Sequence, residues 1–297
     1  MMKWIKIIIS WLAKLIKNKK VQKTLFVGAG IGAGIAAGEG AVAYKRNKKA
    51  EKIKNRAIEK HDKARQAIDG TLDKLGKNKL EVCESFSDLA DMIESIQQRP
   101  EFTLTVEGVD LPSFKPSEFK RLAAAVELAV GGAGGVAAGG AAGAAVMGMN
   151  IAALGPGALA GSAVLCVMAA KMMGRAAERV EQAKQIEADV EKIIAFYGEL
   201  EKAVVKYNDV FSDVRKPYEK QLKKMHKILD RKNNWESFSQ REKTIVENAV
   251  MLAQLLCRMC ALNLTLEATK KNPIERVNSA EIDLMIEDAK SVMKEAA

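Results

Sequence analysis

Between Glu127 and Lys171 the chain carries no charged side chain over 43 consecutive residues, and in that span Gly131, Gly135, Gly139 and Gly143 recur four apart. Losing a side chain every fourth residue gives a helix one flat face on which another backbone packs closely. Two crossings of ~20 residues fit the span, with Asn150 and Gly155-Pro156-Gly157 as the turn between them. The expected element is an Ala/Gly-rich helical hairpin with limbs at 128–149 and 158–173. Its Val, Leu, Ile and Met side chains suit a bilayer, whereas its Ala and Gly also suit the interior of a soluble bundle.

A second small-residue face lies at 25–44, where Gly28, Gly32, Gly34 and Gly38 repeat the spacing. In water each interior Gly disfavours a helix by ~1 kcal/mol relative to Ala. In lipid an unpaired backbone amide costs several kcal/mol, so the helix becomes nearly obligatory. A phosphate-binding reading of these glycines fails, because no strand precedes them and no GK[ST] follows. Before this segment, residues 2–17 place Lys3, Lys6, Lys14 and Lys17 in a cationic stripe on an apolar cylinder carrying Trp4 and Trp11. Such a helix lies at a bilayer surface, indoles among headgroups and ammoniums on phosphates. A buried partner-binding helix and a secretory signal are the rival readings, the signal disfavoured by the interrupting lysines. Trp4, Trp11, Lys3, Lys6 and Lys14 are therefore the expected membrane anchor.

Charge supports this polarity. The chain of 297 residues carries a net +10, yet residues 1–60 alone hold 15 Lys/Arg against three acids. A basic end on a nearly neutral body points to an anionic surface, either a leaflet or a nucleic-acid backbone. Lys45, Arg46, Lys48 and Lys49 are the expected contacts to that surface or to an anionic ligand.

The remainder reads as helix. Only 5% of residues are aromatic and six are Pro, which disfavours a strand-rich fold. Apolar positions Ile68, Leu72, Leu75, Val82, Phe86, Leu89, Ile93 and Ile96 form a helical seam, with an expected interruption at Gly76-Lys77-Asn78. A second seam from Ile186 to Tyr218 alternates 4 and 3 through ten positions, the signature of a coiled-coil-like stalk. Its register slips beside Pro217, where a kink or break is expected. Residues 100–116 concentrate Pro and Gly around FTLTV, which predicts a short β-hairpin near 101–114. Ser239 with Glu242 spells a capping box opening a buried helix through 250–266. Asn272-Pro273 with Glu275, and then Ser279, mark two further helix starts. The expected divisions are 1–44, 45–117, 118–174, 175–232 and 233–297.

Material for catalysis is scarce. Cys257 and Cys260 form a CxxC, but in mid-helix and without a second ligand pair they read as packed apolar cysteines. Acid pairs such as Asp88/Asp91 and Glu187/Glu191 sit among lysines as solvated faces. No metal, cofactor or enzymatic activity is expected.

A helical stalk interrupted by a glycine-rich hairpin resembles the α-helical pore-forming toxins and apolipoprotein-L-like proteins. The resemblance rests on 128–149, Gly155-Pro156-Gly157 and 158–173, flanked by the seams at 82–96 and 186–218. The basic start and second glycine zipper also resemble the membrane effectors that end anti-phage pathways of the Hailong type. These resemblances imply an all-α, elongated, homo-oligomeric channel that inserts from the cytoplasm into a bacterial inner membrane, held closed until an inhibitory partner or nucleotide-type signal changes. Two other classes stay open: a soluble scaffold or adaptor with Ala/Gly core helices, and an oligonucleotide- or nucleotide-responsive regulator using 45–60.

Overall fold

The computed structural model describes residues 39–131, 176–266 and 275–296. Among them the chain forms five α-helices: α1 (Glu39–Ser95), α2 (Pro116–Gly131), α3 (Ala176–Leu229), α4 (Gln240–Ala261) and α5 (Ser279–Glu295). A 3-10 turn at Trp235–Ser237 joins α3 to α4. A two-residue antiparallel ladder, β1 (Thr265–Leu266) with β2 (Arg276–Val277), lies between α4 and α5. The fold is all-α.

With 57 and 54 residues, α1 and α3 each extend about 80–85 Å. They run parallel. Lys60 bonds Glu191 (2.9 Å), Asn78 bonds Asn208 (2.8 Å), Ser85 meets Tyr218 (3.1 Å) and Asp88 meets His226 (3.0 Å), so position rises along both helices together. A parallel bridge between Gln97 and Asn234 ends the series. The other helices stack on the upper part of this pair. α4 runs down against α3, from Lys232–Glu242 (2.7 Å) to Tyr207–Met259 (2.7 Å). α5 turns back up against α4, through Arg258–Asp288 (2.6 Å) and Asn248 bonded to the Ala296 carbonyl (2.9 Å). α2 packs on α1, with Phe119 edge-on to Phe86 at 4.9 Å and Lys120 paired to Asp91 and Glu94.

One large core follows from this stacking. It runs from Ile68 and Ile193 up to Ile96 and Ile228, and includes the fully buried rings of Phe86, Phe119, Tyr207, Phe211 and Tyr218. Below it, among the described residues, lies a small separate cluster of Ala57, Ile186 and Val190. The molecule is thus a thick helical body carried on a thin two-helix rod.

Several sequence expectations are corrected. No break occurs at Gly76-Lys77-Asn78, because α1 passes straight through. The 4-3 spacing continues across the gap, with Lys79 occupying the seam position between Leu75 and Val82 at 1% exposure. Nor does Pro217 end α3. Buried Val214, Tyr218, Leu222 and Met225 hold the turns on both sides of it to the core, which offsets the lost amide bond. The buried helix stops at Ala261, where Leu262 turns extended (ψ 126°) and Thr265–Leu266 enter the ladder. Asn272 and Pro273 lie outside the described residues. Glu275 precedes β2 and opens no helix, so the single described helix of this region starts at Ser279. The hairpin near 101–114 reduces to one bridge, Val106–Val109, closed over Gly108 in a left-handed conformation (φ 76°). Phe102 on Trp235 (5.6 Å) and Phe114 on Phe119 (4.7 Å) fix this segment by ring packing in place of a ladder.

The Ser239–Glu242 capping box is present in both directions. Lys232, followed by the backbone N–H and hydroxyl of Ser239, hydrogen-bonds the Glu242 carboxylate and holds its pKa down at about 2. Among the described residues α4 alone has the length and hydropathy of a membrane span. Two thirds of that stretch (67%) is buried inside the protein, which makes it the central helix of the body.

Candidate functional site

Two places in the described structure bring notable charge together. The first is the lower end of the rod. Because α1 and α3 are parallel, Glu39 and Ala176 open them at the same end, and the Arg179 guanidinium donates to Asn47 Oδ1 across that end at 3.5 Å. Residues 1–38 and 132–175 lie outside the described residues. So the expected anchor (Lys3, Trp4, Lys6, Trp11, Lys14), the first zipper (Gly28, Gly32, Gly34, Gly38) and Gly135, Gly139 and Gly143 are not placed. Gly131 is the last residue of α2.

Lys45, Arg46, Lys48 and Lys49 are all exposed on α1, as are Lys52 and Arg56, with Lys54 half-buried. None of these seven makes an ion pair among the described residues, and Glu51 is the one acid between them. At 100° per residue Lys45, Lys48, Lys49, Lys52 and Arg56 form a ridge about 17 Å long. The ridge faces away from the α3-packed positions Ala50 and Ala57, which are 2% and 0% exposed. Just above, the pattern changes: Lys60 pairs with Glu191 and Lys63 with Glu59 (2.7 Å). Tyr44, at the head of the ridge, is 67% exposed.

The second place is the junction where rod becomes body. α4 ends there, and a helix end leaves its last carbonyls without intrahelical partners. Two of these are buried and are met from the two long helices: Tyr207 donates its hydroxyl to Met259 O (2.7 Å), and Lys79 donates its ammonium to Cys260 O (3.3 Å). Lys79 also lies over the Tyr207 ring at 5.6 Å. Its positive charge complements the negative end of the α4 dipole. Burial nonetheless pulls the Lys79 pKa below 10.5 and pushes that of Tyr207 well above 10. Beside them Asn208, 5% exposed, accepts from Asn78, and Asn78 Oδ1 in turn accepts from Arg215 (3.3 Å). Sequence reading missed this knot. Its one signal was the unbroken 75-79-82 spacing through a lysine.

Cys257 and Cys260 are buried, and the fold brings Cys83 from α1 to Cys260, whose thiol reaches the Lys79 carbonyl at 4.0 Å. Contact with the Cys260 thiol, then burial, raises the Cys83 pKa well above its ordinary value, and burial pushes Cys257 up to about 12. Cys83 and Cys257 are thus packed thiols with little thiolate, as expected for a structural role. His61 sits in the rod seam against Tyr197 (3.3 Å), remote in sequence and partners from His226 on Asp88. Asp91 is engaged by Lys120 and Glu191 by Lys60, so the acid pairs serve as salt-bridged faces. Among the described residues no group of three or more His, Cys, Asp or Glu could hold a metal ion. Comparison with family models, with curated proteins and with solved structures finds no match to this chain.

Proposed function

We propose that the protein is a membrane-inserting, oligomeric channel effector that permeabilises a bilayer. One observation carries the reading: the two glycine-rich apolar stretches, 25–44 and 128–173, lead into helices that start side by side, at the rod end farthest from the body. A parallel rod delivers both stretches to one place, as a bilayer contact needs. A flat glycine face packs best against another such face, and a conducting path needs several helices, so copies of the chain assemble around it. The body supplies a surface on which an inhibitory partner or nucleotide-type signal acts.

The test is dye release from vesicles by the purified protein and by its Val146→Arg and Ser162→Arg variants. Each charge near the bilayer centre adds ~2.5–3.5 kcal/mol to insertion, so the variants stay folded and lose release. If both retain full release, residues 128–173 do not form the path. A parent protein that neither binds nor permeabilises vesicles belongs to the scaffold class.

A further inference from the structure

We propose that the exposed face of α1 from Tyr44 to Arg56 is a docking surface for the anionic phospholipid headgroups of a bilayer leaflet. The proposal rests on the membrane reading above and adds the lipid class and the contact residues. Four features of the rod carry it. Seven cations, Lys45, Arg46, Lys48, Lys49, Lys52, Lys54 and Arg56, stand in twelve residues without an ion pair among the described residues, whereas Lys60 and Lys63 just above are paired. Five of them share one face, turned away from α3, and a one-sided straight ridge meets a plane along its whole length. Tyr44 exposes its ring at the end from which the apolar stretch 25–44 arrives, the position aromatic side chains take between acyl chains and headgroups. Finally, among the described residues no ion pair joins an acidic side chain of α3 to the ridge, where Glu181 pairs with Lys184, Asp189 with Lys192 and Glu191 with Lys60.

A nucleic acid fits this surface less well. Beyond Tyr44 no aromatic side chain stands among the cations to stack on bases.

The experiment compares the full-length protein with a variant carrying Lys48→Gln, Lys49→Gln, Lys52→Gln and Arg56→Gln. A control changes four exposed lysines of the upper part of α3, Lys202, Lys220, Lys223 and Lys227, to Gln. Helicity by circular dichroism checks that each remains folded. Co-sedimentation and dye release are measured on phosphatidylcholine vesicles and on vesicles with about one third phosphatidylglycerol, at low and high salt. Each cation near an anionic leaflet is worth about fivefold in affinity, so the ridge variant, which loses four, binds the anionic vesicles roughly 600-fold more weakly. The control binds like the parent, and high salt weakens the parent towards the ridge variant. At saturating protein the ridge variant still releases dye. Unchanged affinity of the ridge variant for anionic vesicles overturns the docking surface and leaves the channel reading intact. Cation-dependent binding without dye release removes the channel reading and leaves the docking surface. Binding to a DNA duplex is measured alongside, and loss of that affinity with vesicle binding unchanged overturns the proposal in favour of nucleic acid.

Discussion

The lower rod and the body are built by the same two helices, yet their seams differ in kind. Below His61 the α1 seam is made of alanines, the buried Ala50 and Ala57, of which Ala57 packs with Ile186 and Val190 of α3, a cluster that buries little area. Above Ile68 the same helix contributes Leu75, Val82, Phe86, Leu89 and Ile93 to a core shared with α2, α3, α4 and α5. Burial stabilises at roughly 25 cal/mol per Å² of apolar surface, so the body dominates the stability and the rod end depends on it. The charges differ too: the seven cations from Lys45 to Arg56 make no ion pair among the described residues, whereas the body holds networks such as Lys120 with Asp91 and Glu94 and Arg215 with Glu81 and Glu219. The lesson is that helix continuity does not imply uniform strength: a thin seam opens locally at a cost well below that of global unfolding.

The harshest way to break this comparison is Leu200→Asp with Val204→Asp, which puts two charges where the parent side chains are 1% and 0% exposed. An uncompensated buried charge costs roughly 3–5 kcal/mol, and two together approach the whole stability of a domain. Loss of helicity is expected, and a parent-like circular dichroism spectrum would refute the seam.

Next, Phe86→Ala removes a fully buried ring in contact with Phe119 and Tyr218 and should cost about 3–5 kcal/mol in urea unfolding. Val190→Ala, in the small lower cluster, should cost about 1.5 kcal/mol. Its effect on amide exchange should stay confined to 45–66 and 180–196, while Phe86→Ala speeds exchange throughout the body. Equal global effects would erase the distinction between the two regions.

A finer test concerns Lys79. Its folded pKa lies below the unfolded 10.5, so between the two values the unfolded chain holds the proton and the folded chain does not. Stability therefore rises with pH in that window, by at most ~1.4 kcal/mol per pH unit. The Lys79→Met variant should lack this rise. The comparison belongs below pH 9, the ordinary thiol value, because the raised pKa values of Cys83 and Cys257, and above 10 that of Tyr207, act in the opposite direction.

The smallest expected effect is at the body's tip. Glu242 has its folded pKa lowered to about 2 from 4.5, so its contribution is present above 4.5 and lost as pH falls through 2. Glu242→Gln should flatten acid unfolding over that range, with the rod-end amides unaffected.

Much of this architecture was legible. Heptad-like spacing located both long helices, and Ser239 with Glu242 fixed the start of α4 to the residue. Three features were hidden for physical reasons. A lysine in a seam looks like an interruption until the helix end that needs it is known, and that end, at Ala261, lies 182 residues away from Lys79. The apolar run 250–266 reads as one helix because periodicity does not report where backbone hydrogen bonds change partner. The direction of α3 relative to α1 left no trace, since 4-3 spacing is the same whichever way the neighbour runs. Of the candidate site, the cations were readable but their lack of partners was not, because pairing depends on what α3 places opposite them.

The parallel arrangement also sets an order of events in time. Cross-rod partners are 130–138 residues apart in the chain. At roughly 5–20 residues per second of synthesis, α1 therefore waits about 7–28 s for the helix that covers its seam. Both glycine-rich stretches are complete before the first turn of α3 exists. Any choice those stretches make between water, lipid and a neighbouring copy thus begins before the rod can hold them, and rod assembly closes that interval.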